Sequence, residues 1–189
     1  EREREMEEAL EQCVTGSVQN CLHENALFFA ERLFYEREKD VESLLVYAST
    51  LVMSHQYMVA HKLLSELVPG HVSRCPTDVM KSHPDNAVCK LVYLFGTVCV
   101  HVRQYDQADQ QLRKLPETPQ QQYWLGHVSR RMGNKEKAIA YLSRSLELCP
   151  VMWCAHRELC ELAHAVDSDK AFSPHRVASF EESAAASYL

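Results

Sequence analysis

The stretch YWLGHVSRRMGNKEKAIAYLSRSLELCP, Tyr123 to Pro150, decides the fold. Its apolar residues recur at helical spacing, and the pattern predicts helices over about Gln120–Met132 and Lys135–Leu148, parted at Gly133. Gly126 stands twelve residues before Ala138, and Leu142 follows that Ala by four. Small residues at such fixed places let two helices approach closely. The stretch therefore reads as a tight helix hairpin.

Working outward, the same spacing returns. HQYMVAHKLL (His55 to Leu64) and RQYDQADQQL (Arg103 to Leu112) share Gln-Tyr, then Ala, then Leu. Gly96 precedes Ala108 by twelve residues, as Gly126 precedes Ala138, and Ala26 lies 34 residues before Ala60. Helical periodicity fills most of the remaining chain. Met6, Leu10, Cys13, Val14, Val18 and Cys21 mark a first helix, and NALFFAERLFYER (Asn25 to Arg37) is the second. Others are expected at about Val41–Met53, Tyr57–Leu67, Ala87–Val102, Tyr105–Leu115 and Met152–Ala165. Residues 68–86 hold three Pro and one Gly and are expected to be a variable inserted loop. Residues 167–189 are expected to be a linker and a weakly helical tail, leaving 6–166 as the folded array.

The fold class expected is all-α. Five Gly and seven Pro are few for 189 residues and disfavour an all-β chain. A net charge of -6, with no basic run beyond Arg130-Arg131, argues against nucleic acid. No apolar run approaches the ~18 residues of a membrane span. The charged start, EREREMEEALEQC, is no signal peptide. Eight Cys without a CxxC pair read as thiols in an intracellular setting, most of them packing as small hydrophobes.

Repeats with a period near 34 residues and this pattern of small residues resemble the tetratricopeptide (TPR) repeat. Leu125-Gly126, Gly133, Ala138, Leu142 and Pro150 carry the resemblance. Gln122 and Ser129 depart from it where the family favours aromatics. The expectation is a superhelix of about four repeats plus a capping helix from Met152. Ala26, Phe28, Ala30, Glu31, Arg32 and Leu33, then Tyr47-Ala48, Ala60, Leu63 and Leu64, resemble more narrowly the N-terminal array of a TPR subunit of the anaphase-promoting complex, the cell-division-cycle protein numbered twenty-seven. Pro150, Trp153 and Leu159-Cys160-Glu161 match that family's last N-terminal repeat. The resemblance implies a homodimerisation module, other subunits of a large ubiquitin-ligase complex as partners, and a location in nucleus and cytoplasm.

The helix at Asn25–Arg37 is apolar on two sides. Ala26, Phe29, Ala30, Leu33 and Phe34 form one stripe, while Phe28 and Tyr35 lie nearly opposite, seven residues apart. The place of Phe28 is held by Lys62, Gln110 and Ala140 in the later repeats, and that of Tyr35 by Glu147 in the last. Leaving two such rings in water forgoes roughly 1.5–3 kcal/mol each. The expected occupant is a second copy; the resemblance implies that the first repeat of one copy enters the groove of the other, with contact residues Leu22, Phe28, Arg32 and Tyr35 on the first repeat and Leu45, Tyr93, Tyr123 and His127 on the receiving groove. The other reading packs Phe28 and Tyr35 under residues 68–86 or against the first helix. Leu10, Val14 and Val18 are expected to be ordinary core.

Other sites are weighed and set aside. His156, Cys160 and His164 share a helix face, and Cys149 or Cys154 would complete a nominal zinc set. They span ~12 Å of helix axis, too far for one ion. No HExxH, GxxxxGK[ST] or GxSxG motif is present, so neither catalysis nor a cofactor is expected. The alternative function is a monomeric TPR adaptor holding an apolar helix of another protein in its groove. A carboxylate clamp would need cations on the first helices of successive repeats. The places read for it hold Leu45 and Ser49, Tyr93 and Thr97, Tyr123 and His127.

Overall fold

The computed structural model describes residues 2–37, 40–75, 80 and 85–163. Among them lie nine helices and no strand: α1 (Arg2–Gln19), α2 (His23–Glu36), α3 (Val41–Met53), α4 (Tyr57–Arg74), α5 (Ala87–His101), α6 (Tyr105–Leu112), α7 (Pro119–Arg131), α8 (Lys135–Leu148) and α9 (Trp153–Glu161). Consecutive helices pair as α1/α2, α3/α4 and α7/α8, α5 packs on α3 and α4, and α9 packs on α8 as a cap. The chain divides into two compact units, one through Gln111 and one from Leu112.

The spacing that suggested hairpins is where the helices meet. Val14, Ala48, Gly96 and Gly126 on the first helices are buried, and so are Ala26, Ala60, Ala108 and Ala138 on the second. A Cβ built on Gly126 would lie 2.7 Å from Leu142 Cγ and 3.2 Å from the Leu142 backbone nitrogen. Glycine is what permits that approach.

Four first helices end in the same way. Cys21, His55, Arg103 and Gly133 all take left-handed φ, between 57° and 80°. Each stands five residues before the Ala of its repeat. The next amide donates back five residues: Leu22 to Ser17 O, Gln56 to Leu51 O, Gln104 to Cys99 O and Asn134 to Ser129 O, at 2.8–2.9 Å. This is the Schellman turn, closed by backbone groups alone. Helices α3, α5 and α7 begin on side-chain caps: Asp40, Asn86 and Thr118 accept from Ser43, Val88 and Gln121 N–H. Helices α2, α4 and α8, which leave the turns, have no side-chain cap.

One boundary differs from expectation. The loop expected over 68–86 begins later, because α4 continues through Pro69 and Gly70 to Arg74. Val68 is buried and anchors the helix, while Pro69 and Gly70 sit on its solvent side. The amide lost to the proline ring therefore weakens the helix without ending it. Met80, inside the same expected loop, is helical and 2% exposed. The tail 167–189 and His164 lie outside the described residues.

Candidate interaction surfaces

In the first unit, α2 presents both of its expected stripes. Ala26, Ala30, Leu33 and Phe34 are buried, and Phe29 is half-buried. On the opposite side Phe28 is 55% exposed and Tyr35 62%. Phe28 meets Phe29 edge-on at 5.3 Å, and Tyr35 meets Phe34 at 5.4 Å. Each exposed ring thus leans on a neighbouring ring of its own helix. Leu22, just before α2, is 51% exposed, and Arg32 is exposed on the same helix. The helix is fixed at its end by Arg37, which binds Glu7 at 3.0 Å and Glu11 at 2.6 Å on α1. Tyr47 of α3 donates to Glu31 at 3.3 Å, and burial together with the Glu31 charge pushes its phenol up to about 12. Leu10 and Val14 are core, and Val18 is half-buried.

The first-helix places behave as a second surface. Leu45 and Ser49 on α3 and Tyr93 and Thr97 on α5 are all half-buried. Their counterparts in the second unit, Tyr123 and His127 on α7, are half-buried as well, but a residue the sequence reading missed engages both. Glu158 of α9 is 3% exposed. Its carboxylate lies 2.6 Å from His127 Nδ1, accepts from the Tyr123 hydroxyl at 3.3 Å, and lies 3.5 Å from Arg130. Arg130 also binds Glu161 at 2.6 Å. Burial alone would raise the Glu158 pKa, but the hydrogen bond and charge of His127, then Arg130 and Tyr123, bring it below the usual carboxylate value. Burial and the same carboxylate push the Tyr123 phenol upward.

His156 Nδ1 stands 3.8 Å from Cys160 Sγ. Among the described residues no group of three or more His, Cys, Asp or Glu is placed to hold a metal ion, and no helix is long and apolar enough to cross a membrane. Burial pushes the Cys99 thiol up to about 12 and raises Cys89, Cys149 and Cys154, away from nucleophilic reactivity.

Helix pairs of this geometry, with a partly apolar surface, describe an interaction module. The family model for anaphase-promoting complex subunit 8 / Cdc23 matches residues 5–183. The chain belongs to the anaphase-promoting complex subunit 8/Cdc23 family. A curated relative, cell division cycle protein 27 homolog B of Arabidopsis thaliana, is 26% identical over 174 residues, 88% of this chain and 21% of that protein. The resemblance to a TPR subunit of this complex is thus borne out, with the matching family model being that of subunit 8 and the curated relative bearing the number twenty-seven.

Solved structures share the fold. MamA residues 41-end from Desulfovibrio magneticus RS-1 superposes with a TM-score of 0.67 at 18% identity, covering 94% of each chain. A chain from the APC/C hetero-tetramer Cut9–Hcn1 gives a TM-score of 0.62 at 13% identity, covering 89% of this chain and 33% of that one. This subunit 8/Cdc23-family chain is a TPR module for protein–protein interaction.

Proposed function

We propose that the chain is a scaffold module of an anaphase-promoting complex subunit that holds an apolar helix of another protein on its first-helix face. The observation that carries this reading is the set Leu45, Ser49, Tyr93 and Thr97. Corresponding places of two successive repeats are half-exposed, apolar or small, and without a cation. Such a face suits the stripe of an amphipathic helix and not a peptide carboxylate. The whole subunit's place in a ubiquitin ligase, in nucleus and cytoplasm, is part of the same reading.

Homodimerisation is the second reading. The exposure of Phe28, Tyr35 and Leu22 on α2 favours it, since monomeric proteins seldom leave such rings in a contiguous patch. Two rings and a leucine fall short of the roughly 800 Å² per partner that a stable contact buries, so a dimer would need further surface.

Light scattering on a sizing column, together with titration of a fluorescein-labelled, leucine-faced helical peptide, separates the two. The first reading expects a monomer at micromolar concentration whose peptide affinity falls at least tenfold in Leu45→Glu/Tyr93→Glu. A dimer dispersed by Phe28→Glu/Tyr35→Glu, with no peptide bound, would replace it with the second.

A further inference from the structure

The first-helix places continue beyond the three repeats in which they were read. Tyr93 and Thr97 are followed thirty residues later by Tyr123 and His127, and thirty later again by Trp153 and Arg157 of α9. Trp153 is 61% exposed, with its indole stacked on His156 at 5.4 Å and 17°. Arg157 lies one turn further on the same helix face. Its side chain is 58% exposed, and its ion pair with Glu161 is stretched to 3.9 Å, while Arg130 holds Glu161 at 2.6 Å. Glu158, facing inward, is engaged by Tyr123, His127 and Arg130. Glu161 is thus shared, held closely by Arg130 and only loosely by Arg157, and the Arg157 side chain stays largely exposed one turn from Trp153.

Trp, Tyr and Arg are the residue types that most often dominate binding energy at interfaces. Here the buried Glu158 fixes Tyr123 and His127 beforehand, so little side-chain freedom is lost when a partner arrives. A guanidinium in this setting is complementary to a carboxylate, which it can take in a bidentate pair.

We propose that Trp153, Arg157 and Tyr123 anchor an acidic amphipathic helix of another protein, one in which a carboxylate stands one turn from an aromatic side chain. The partner's ring lies on Trp153 and Tyr123, and its carboxylate meets Arg157. This inference rests on the helix-holding reading given above and applies it to the second unit taken by itself.

The test uses the leucine-faced peptide in two versions, one carrying Phe and Glu four residues apart and a twin with Gln in place of Glu. Fluorescence polarisation on the whole chain should give at least tenfold tighter binding for the Glu version. Arg157→Gln should erase that preference, Arg157→Lys should keep part of it, and Trp153→Ala should weaken both peptides at least tenfold, with helicity unchanged by circular dichroism. If the twins bind alike, or the preference survives Arg157→Gln, the anchor is wrong. Should both still weaken in Leu45→Glu/Tyr93→Glu, the helix-holding reading stands without it. If neither peptide binds the unaltered chain, both fall.

Discussion

The first and fourth hairpins share one plan and divide its space oppositely. In the fourth, Gly126 on α7 makes room for Leu142 on α8. In the first, the same two places hold Val14 on α1 and Ala30 on α2, both buried. The large residue has changed sides. The outer faces differ too. Helix α8 shows water Ala140 and Glu147, the latter paired with Arg144, which also binds Glu117. Helix α2 shows it Phe28 and Tyr35. The interior plan of a hairpin tolerates exchange as long as the summed volume is kept. The outer face is free of that constraint, and there each repeat acquires its own task.

The largest blow to this comparison should come from Leu142→Ala, which leaves a cavity and costs about 4 kcal/mol in denaturant unfolding. Gly126→Val alone should cost about 2–3 kcal/mol through overpacking. If the hairpins do divide the same volume, the double change, which recreates the first hairpin's pair in the fourth, costs less than the sum by at least about 1 kcal/mol. Simple additivity would show that the two places are not equivalent.

A smaller effect is expected at the cap. Glu158→Gln should cost about 2 kcal/mol, because Arg130 loses its buried counter-charge and the His127 ring a close carboxylate partner. The sign of its pH dependence follows from the lowered carboxylate pKa. A carboxylate held lower in the folded state stabilises above its unfolded pKa, and that contribution is lost as pH falls through the folded value. Acid below about pH 4.3 should therefore narrow the gap between Glu158→Gln and the parent chain, as read by thermal melts across pH. A gap unchanged down to pH 2 would count against this account.

Smaller still is the turn. Arg103→Gly should raise stability by about 1 kcal/mol, by relieving a side chain held at φ 64°, less the entropy that glycine adds to the unfolded chain. The same change at Cys21 should act alike, and a loss of stability at either position would argue that the side chain has a packing role. Last, Phe28→Glu/Tyr35→Glu should move stability by no more than about 0.5 kcal/mol. A drop beyond about 2 kcal/mol would return the rings to the core and remove the contrast between α2 and α8.

The hairpins were legible because an Ala recurs at 26, 60, 108 and 138, each fully buried, and a small residue suits such a place. The turns were legible at Gly133 alone. Cys21, His55 and Arg103 hide the same left-handed conformation behind ordinary side chains, although their offset of five from each Ala would have revealed them. Pro69 misled, since a proline on the solvent side of a helix anchored by Val68 does not end it. The aromatic face of α2 could be read because its counterparts are polar or small. The Glu158 network could not. A glutamate in a helix reads as solvated, and its partners lie 31 and 35 residues away in the chain.

The backbone-closed turns also bear on how fast the molecule assembles. Each one joins helices across a handful of residues, so the entropy of closing the loop is small. Contacts within a hairpin are local, and proteins built from such contacts fold in microseconds to milliseconds. A hairpin can close as soon as its second helix leaves the ribosome, before the remainder of the chain exists. The exposed aromatic face of α2 is thereby in place before the later repeats are synthesised.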